Sequence, residues 1–196
     1  MSEDVASYLG VRGDPVELRE RSATPSAALE RLAALAPWLE RSHQRIEEGE
    51  VPSLELRGRG AHGSLRFVGT ISGHLLEALI VLARALATHE LELDTPATLQ
   101  LLAELDAGRS IELYVGPHCP FCPSVMAAAL RLGAASERVA VTILRADEVA
   151  HPLVRSVPTL LLAGSLAHVG AIHEYELAAL VCERKGERAG PRKSGR

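Results

Sequence analysis

The chain is poor in several features that would place it at once. Its 196 residues include three cysteines, one tryptophan and an aromatic content of 3%. Three cysteines cannot build the disulfide framework of a small secreted domain. A close pair, Cys119 and Cys122, with a distant Cys182, reads instead as thiol chemistry with a bystander. No apolar run approaches the ~20 residues that span a bilayer. The best, Leu75 to Leu86, is broken by Glu77 and Arg84, so neither a membrane helix nor a membrane partner is expected. Met1 to Leu9 carries Glu3 and Asp4 and lacks both the basic start and the apolar centre of a secretory leader, and the expected compartment is the cytoplasm. An excess of positive charge is missing too. A formal net charge of −4 argues against broad neutralisation of phosphates and hence against nucleic acid as the main partner. Only residues 184–196 are basic, with Arg184, Lys185, Arg188, Arg192, Lys193 and Arg196 set among Gly and Pro. That composition fits a disordered tail, with RNA or membrane binding as the other reading.

What is present is enough apolar content, 47%, for real cores, and an internal repeat. Val16-Glu17-Leu18 matches Ile111-Glu112-Leu113, each suited to a short strand. Seven residues after the Glu, one copy reads Thr24-Pro25-Ser26-Ala27 and the other Cys119-Pro120-Phe121-Cys122, each opening a helical pattern with Pro just inside. Val51-Pro52-Ser53-Leu54 then matches Val157-Pro158-Thr159-Leu160, and Val68-Gly69-Thr70-Ile71 matches Val169-Gly170-Ala171-Ile172. Such repetition implies a repeated supersecondary unit, here β-α-β-β-β-α, with helices on one or both faces of mixed sheets. The expected organisation is α/β: residues 1–90 without thiols, 91–183 with the dithiol, and the tail 184–196. Short helices at Glu3 to Leu9 and Pro96 to Leu105 lead into the two copies. Gly58, Gly60 and Gly63 supply the first hairpin turn, and Ala163-Gly164-Ser165 a tighter second one.

The dithiol is the candidate site. A Cys at a helix start lies beside unpaired backbone N–H groups and the positive end of the helix dipole, which stabilise a thiolate; in such motifs the thiol pKa falls to ~3.5–7.5. Cys119 is then the nucleophile that opens a disulfide, and Cys122, one turn on, resolves the mixed disulfide. The competing reading of the pair is metal or iron-sulfur binding, but zinc needs four ligands and only His118 and the distant His151 are at hand. Val157-Pro158-Thr159 opens a strand where a cis bond would expose a backbone edge to a substrate peptide. Val157, Thr159, His118 and Phe121 are accordingly expected on the substrate side, with His118 read either as a cation beside the thiolate or as a surface histidine with no role. Glu112 has two readings: a solvent-facing residue by period-2 alternation, or a half-buried carboxyl beneath the dithiol that takes the proton of Cys122.

With Val157-Pro158 and Cys119-Pro120-Phe121-Cys122 in place, the sequence resembles the thioredoxin and glutaredoxin superfamily. The doubled arrangement resembles the N-terminal domain of the bacterial alkyl hydroperoxide reductase flavoprotein subunit and the tandem protein disulfide oxidoreductases. The resemblance runs over roughly residues 5–182, through Tyr8-Leu9, Pro15-Val16-Glu17-Leu18, Pro52-Ser53, Arg66-Phe67 with Gly69, Gly73-His74, Cys122-Pro123 and Val157-Pro158. It implies two tandem thioredoxin-like folds, the first without a dithiol, relaying electrons from a flavoprotein or thioredoxin-reductase-like donor to a peroxiredoxin. It makes Cys119 the nucleophile, Cys122 the resolving thiol, Glu112 the buried acid and Pro158 the cis-Pro. No glycine-rich FAD or NAD fingerprint is present, so no cofactor is expected and the reductase is expected to be a separate protein. A disulfide isomerase or oxidant of the same fold differs only in redox potential.

Overall fold

The computed structural model describes residues 3–183, so the basic segment 184–196 lies outside the described residues. The elements run α1 (Glu3–Leu9), β1 (Val16–Ser22), α2 (Ala27–Leu35), β2 (Leu39–Arg45), β3 (Ser53–Gly58), β4 (Leu65–Val68) and α3 (His74–Thr88). They continue with α4 (Pro96–Ala103), β5 (Arg109–Val115), α5 (Cys122–Ala135), β6 (Val139–Arg145), β7 (Thr159–Leu162), β8 (Ser165–Val169) and α6 (Glu174–Glu183). Local chemistry sets several boundaries. Ser26 caps α2, its Oγ accepting from Leu29 N, and Thr95 caps α4 with Pro96 in the first turn. Ala163 and Gly164, at φ 50° and 76°, make the tight turn between β7 and β8.

All eight strands form one mixed sheet in the order β2-β1-β3-β4-β6-β5-β7-β8. The sequence strand, helix, three strands, helix occurs on each side of the β4–β6 seam, where the pairing is parallel and places Phe67 beside Ile143. Within each side the order and sense agree: β1 lies between parallel β2 and antiparallel β3, as β5 lies between parallel β6 and antiparallel β7. The C-terminal ends of β1, β4 and β5 therefore share one edge of the sheet.

The register separates the two faces. One cross-strand row runs Glu20, Leu54, Phe67, Ile143, Leu113, Leu160, and a second Leu18, Leu56, Leu65, Val141, Ile111, Leu162. Except for Glu20 these belong to a single core with the buried residues of all the larger helices, among them Leu29, Leu79, Leu102, Val125 and Leu177. Each large side chain fully buried there contributes about 1.5–3 kcal/mol. The opposite face carries the row Arg19, Glu55, Arg66, Thr142, Glu112, Leu161. It is largely half-buried or exposed and polar, apart from a small cluster of Tyr114, Leu144 and Leu161 covered by residues of the 146–157 segment. Its pairs Glu17–Arg19 and Glu55–Arg57 are solvent-exposed, the kind worth less than about 1 kcal/mol each. Helices thus cover one face only.

Gly63 lies in the β3–β4 hairpin loop as expected, and it also packs on α5. A Cβ there would lie 2.1 Å from Val139 O and 2.5 Å from Gly133 O, and its N–H donates to Gly133 O at 2.9 Å. Its smallness lets the β3–β4 loop rest on the end of α5. The first side also holds the sole tryptophan: Trp38 is 2% exposed and its indole N–H donates to Leu9 O at 2.9 Å, tying α1 to the turn before β2.

Candidate functional site

Cys119 and Cys122 are paired as a disulfide, with a Cα–Cα separation of 5.4 Å. The pair sits on the turn between β5 and α5. Gly116 O accepts from Cys119 N at 3.3 Å, so the chain folds back on leaving the strand, and α5 begins at Cys122. The amide of Cys122 donates to Cys119 Sγ at 3.1 Å. This amide at the helix start is shared between the sulfur and, at 3.4 Å, Cys119 O. Cys122 is fully buried, whereas Cys119 is partly exposed and Phe121 is 57% exposed. The outer sulfur is the one a large disulfide can reach.

Opposite the sulfur stands the start of β7. The Val157-Pro158 bond is cis, and Val157 O lies 3.6 Å from Cys119 Sγ. Gly116 admits this approach, since a Cβ on it would lie 3.1 Å from Val157 Cγ2. Gly170, at φ 100°, donates to Pro158 O at 2.9 Å and fixes the far side of the proline. Cys119, Cys122, Phe121, Val157 and Pro158 thus come together.

Two expected residues do not join them. Glu112 shares its face of β5 with Tyr114, while Ile111, Leu113 and Val115 face the core that contains Cys122. Its carboxyl lies on the polar side of the sheet, half-buried in the charged cross-strand row, and not beneath the dithiol. The physical reason is the one-sided helix coverage: with the second face open, period-2 alternation points an acid between two core residues outwards. Thr159 is fully buried, and its hydroxyl donates to Ser156 O at 2.6 Å. Its side chain supports the 156–158 bend and is not presented to a ligand.

His118 precedes Cys119 and is exposed. Arg145, at the end of β6, forks onto Asp147 at 2.8 and 2.7 Å. Those bonds hold the Asp147 carboxyl below its usual range, and the charge of His118 acts in the same direction. Cys182, on α6, donates to Leu101 O at 3.3 Å, and burial pushes its thiol pKa up, as expected of a bystander. Among the described residues no group of three or more His, Cys, Asp or Glu is placed to hold a metal ion, and no helix is long and apolar enough to cross a membrane.

The matching place on the first side holds a buried acid that the sequence reading missed. Glu20 is 6% exposed, on the core face of β1. Its Oε1 accepts from Ser22 Oγ at 2.8 Å and Ser26 N at 2.9 Å, and its Oε2 from Arg41 at 2.6 and 3.1 Å. Burial alone would push this carboxyl up, but the hydrogen bonds from Arg41, Ser22 and Ser26 outweigh it and hold the pKa below the usual carboxylate range. A cleft of about 260 Å³ lies here between Thr24, Ser26, Pro52 and Gly69-Thr70-Ile71. The signal was in the alternation: the period that turns Val16 and Leu18 inwards also turns Glu20 and Ser22 inwards.

No protein-family model matches the sequence, and no curated protein matches it. Solved structures do. The alkylhydroperoxide reductase AhpF from Enterococcus faecalis superposes with a TM-score of 0.77 at 18% identity, over 91% of this chain and 96% of that one. The fold is thioredoxin-like. A separate structure of the N-terminal domain of the same reductase gives 0.74 at 17% identity, over 91% and 96%. A protein disulfide oxidoreductase from Aeropyrum pernix gives 0.71 at 22% identity, over 92% of each chain. On this thioredoxin-like frame the Cys119–Cys122 pair occupies a strand-to-helix turn facing a cis-proline.

Proposed function

We propose that the protein is a thiol-disulfide oxidoreductase built of two tandem thioredoxin-like units, residues 1–90 and 91–183, that reduces disulfides in other proteins. The observation that carries this reading is the Cys119–Cys122 pair at the start of α5, with Cys119 Sγ receiving the Cys122 amide and facing Val157 O. In the reduced protein the Cys119 thiolate attacks one sulfur of a substrate disulfide. That bond breaks, the departing substrate sulfur leaves as a thiolate and takes a proton from water, and a mixed disulfide forms at Cys119. Cys122 then loses its proton to solvent and attacks Cys119 Sγ. The second substrate sulfur leaves, and the Cys119–Cys122 disulfide remains. Two electrons have passed to the substrate, and a separate dithiol reductase returns them.

The partly exposed Cys119, the exposed Phe121 and the buried Cys122 support this division of labour. Likeness in fold to an alkylhydroperoxide reductase and to a disulfide oxidoreductase makes a peroxiredoxin the first acceptor to try and a flavoprotein dithiol the first donor. Reduction of insulin disulfides with dithiothreitol as electron source tests the reading. Turnover is expected from the wild-type chain and loss to background in Cys119→Ser; undiminished turnover in that variant would overturn the assignment.

A further inference from the structure

We infer that Glu148 latches the first side of the molecule to the wall of the dithiol site and is a positioning residue for disulfide exchange, a role that rests on the redox reading above. Glu148 Oε2 accepts from Thr70 N at 2.8 Å and from Thr70 Oγ1 at 3.3 Å, while Arg145 Nη1 donates to Thr70 O. Every polar atom of Thr70, on the turn between β4 and α3, is thus bound by the turn after β6. The contact is built for closeness. Gly69 has φ 104°, a Cβ on it would lie 2.5 Å from Arg145 Cβ, and its N–H is fixed to Pro52 O at 2.7 Å. Arg145 itself is buried, its guanidinium shared among Thr70 O, Asp147 and, at 3.5 Å, Glu148.

The other side of the same turn supports the site. Glu148 N and Val149 N donate to Arg145 O at 3.1 and 2.7 Å, and Ala146 N donates to Val115 O at 3.0 Å, immediately before the Gly116–Cys119 fold. Val149 and Val157 pack on the same small cluster around Tyr114. Val157 in turn presents its carbonyl to Cys119 Sγ. The route from the thiol-free side to the sulfur therefore runs through Thr70, Glu148, Val149, the cluster around Tyr114, Val157 and Cys119. Releasing the latch loosens the segment that ends in Val157, which faces an incoming chain, and leaves the α5 N-terminus, which activates the sulfur, untouched.

Glu148→Ala and Glu148→Gln separate positioning from charge and from plain stability, because the Gln carbonyl can still accept from Thr70. In Glu148→Ala the KM for insulin disulfides rises about fivefold, while kcat and the alkylation rate of reduced Cys119 by iodoacetamide stay within about twofold of wild type, since the helix start is intact. Glu148→Gln stays near wild type in all three. Amide exchange over residues 149–157 is faster in Glu148→Ala than in wild type. An unchanged KM or unchanged exchange in Glu148→Ala, an equal loss in Glu148→Gln, or unfolding of Glu148→Ala overturns the positioning role. Should the wild-type chain reduce no insulin at all, the redox reading fails by itself, and the exchange comparison still decides the latch.

Discussion

The N-terminal ends of α2 and α5 occupy matching places on one sheet edge, yet they direct their backbone donors at opposite chemistry. At α5 the amide of Cys122 points at a sulfur. At α2 the amide of Ser26 points at the buried carboxylate of Glu20, which Arg41 and Ser22 also bind. A helix start stabilises whichever anion is placed against it. In the first case that anion is a nucleophile, in the second a fixed structural charge. The thiol-free side does not merely lack two cysteines: Glu20, on the core face of β1, holds the place where a thiolate would need its donors. The other loops match, with Gly69 and Gly170 both at φ near 100° and both donating to the carbonyl of the proline just before the neighbouring antiparallel strand, Pro52 before β3 and Pro158 before β7.

The contrast can be broken most severely at Glu20. Removing one partner of a buried, hydrogen-bonded ion pair leaves Arg41 with only its longer, 3.4 Å contact to Glu30, so Glu20→Ala should lower unfolding stability by about 3 kcal/mol in denaturant titration. A loss under about 1 kcal/mol would mean that the charge is solvated and the contrast with α5 superficial.

A second variant transplants the thiol. In a background without Cys119, Cys122 and Cys182, Thr24→Cys should react with iodoacetamide about tenfold more slowly than Cys119 does in the reduced wild-type chain, because a carboxylate already sits at that helix start. Equal rates would show that Glu20 does not oppose a thiolate there.

Acid sharpens the comparison further. Because the folded pKa of Glu20 is depressed, its contribution is fully present above the unfolded carboxylate value of about 4.3 and is lost as pH falls through the lower folded value. Stability measured from pH 6 downwards should therefore fall below about pH 4, with a shallower fall in Glu20→Gln. Parallel curves for the two proteins would remove Glu20 from the acid response.

The smallest effect is expected at Glu112. Placed on the polar face away from α5, it should leave the pH profile of disulfide turnover unchanged in Glu112→Gln, with rates within about twofold of wild type. A shifted profile would return it to the site.

These two acids also show how far the sequence could be read. The repeat exposed the strand–helix–strand order, the helix start at the dithiol and the proline facing it, because each has a local signature: alternation, Pro just inside a helix, Val-Pro before an apolar run. Whether a mid-strand acid faces core or solvent depends on which faces the helices cover, and that is settled between elements distant in sequence. Glu112 and Glu17 lie on the open face, Glu20 on the covered one. The latch from Thr70 to Glu148 spans 78 positions, and nothing in the repeat that contains Thr70 points to Glu148. The helix over Pro96 to Leu105 is legible from its leucines, and it ends two residues earlier, at Ala103.

Trp38 is the sole tryptophan, and it is buried on the side that carries no thiols. Its fluorescence therefore reports from across the β4–β6 seam, well away from the sulfurs. A change in its emission when the disulfide is reduced would register communication between the two sides without any label, and a constant signal would bound how far the redox state is felt.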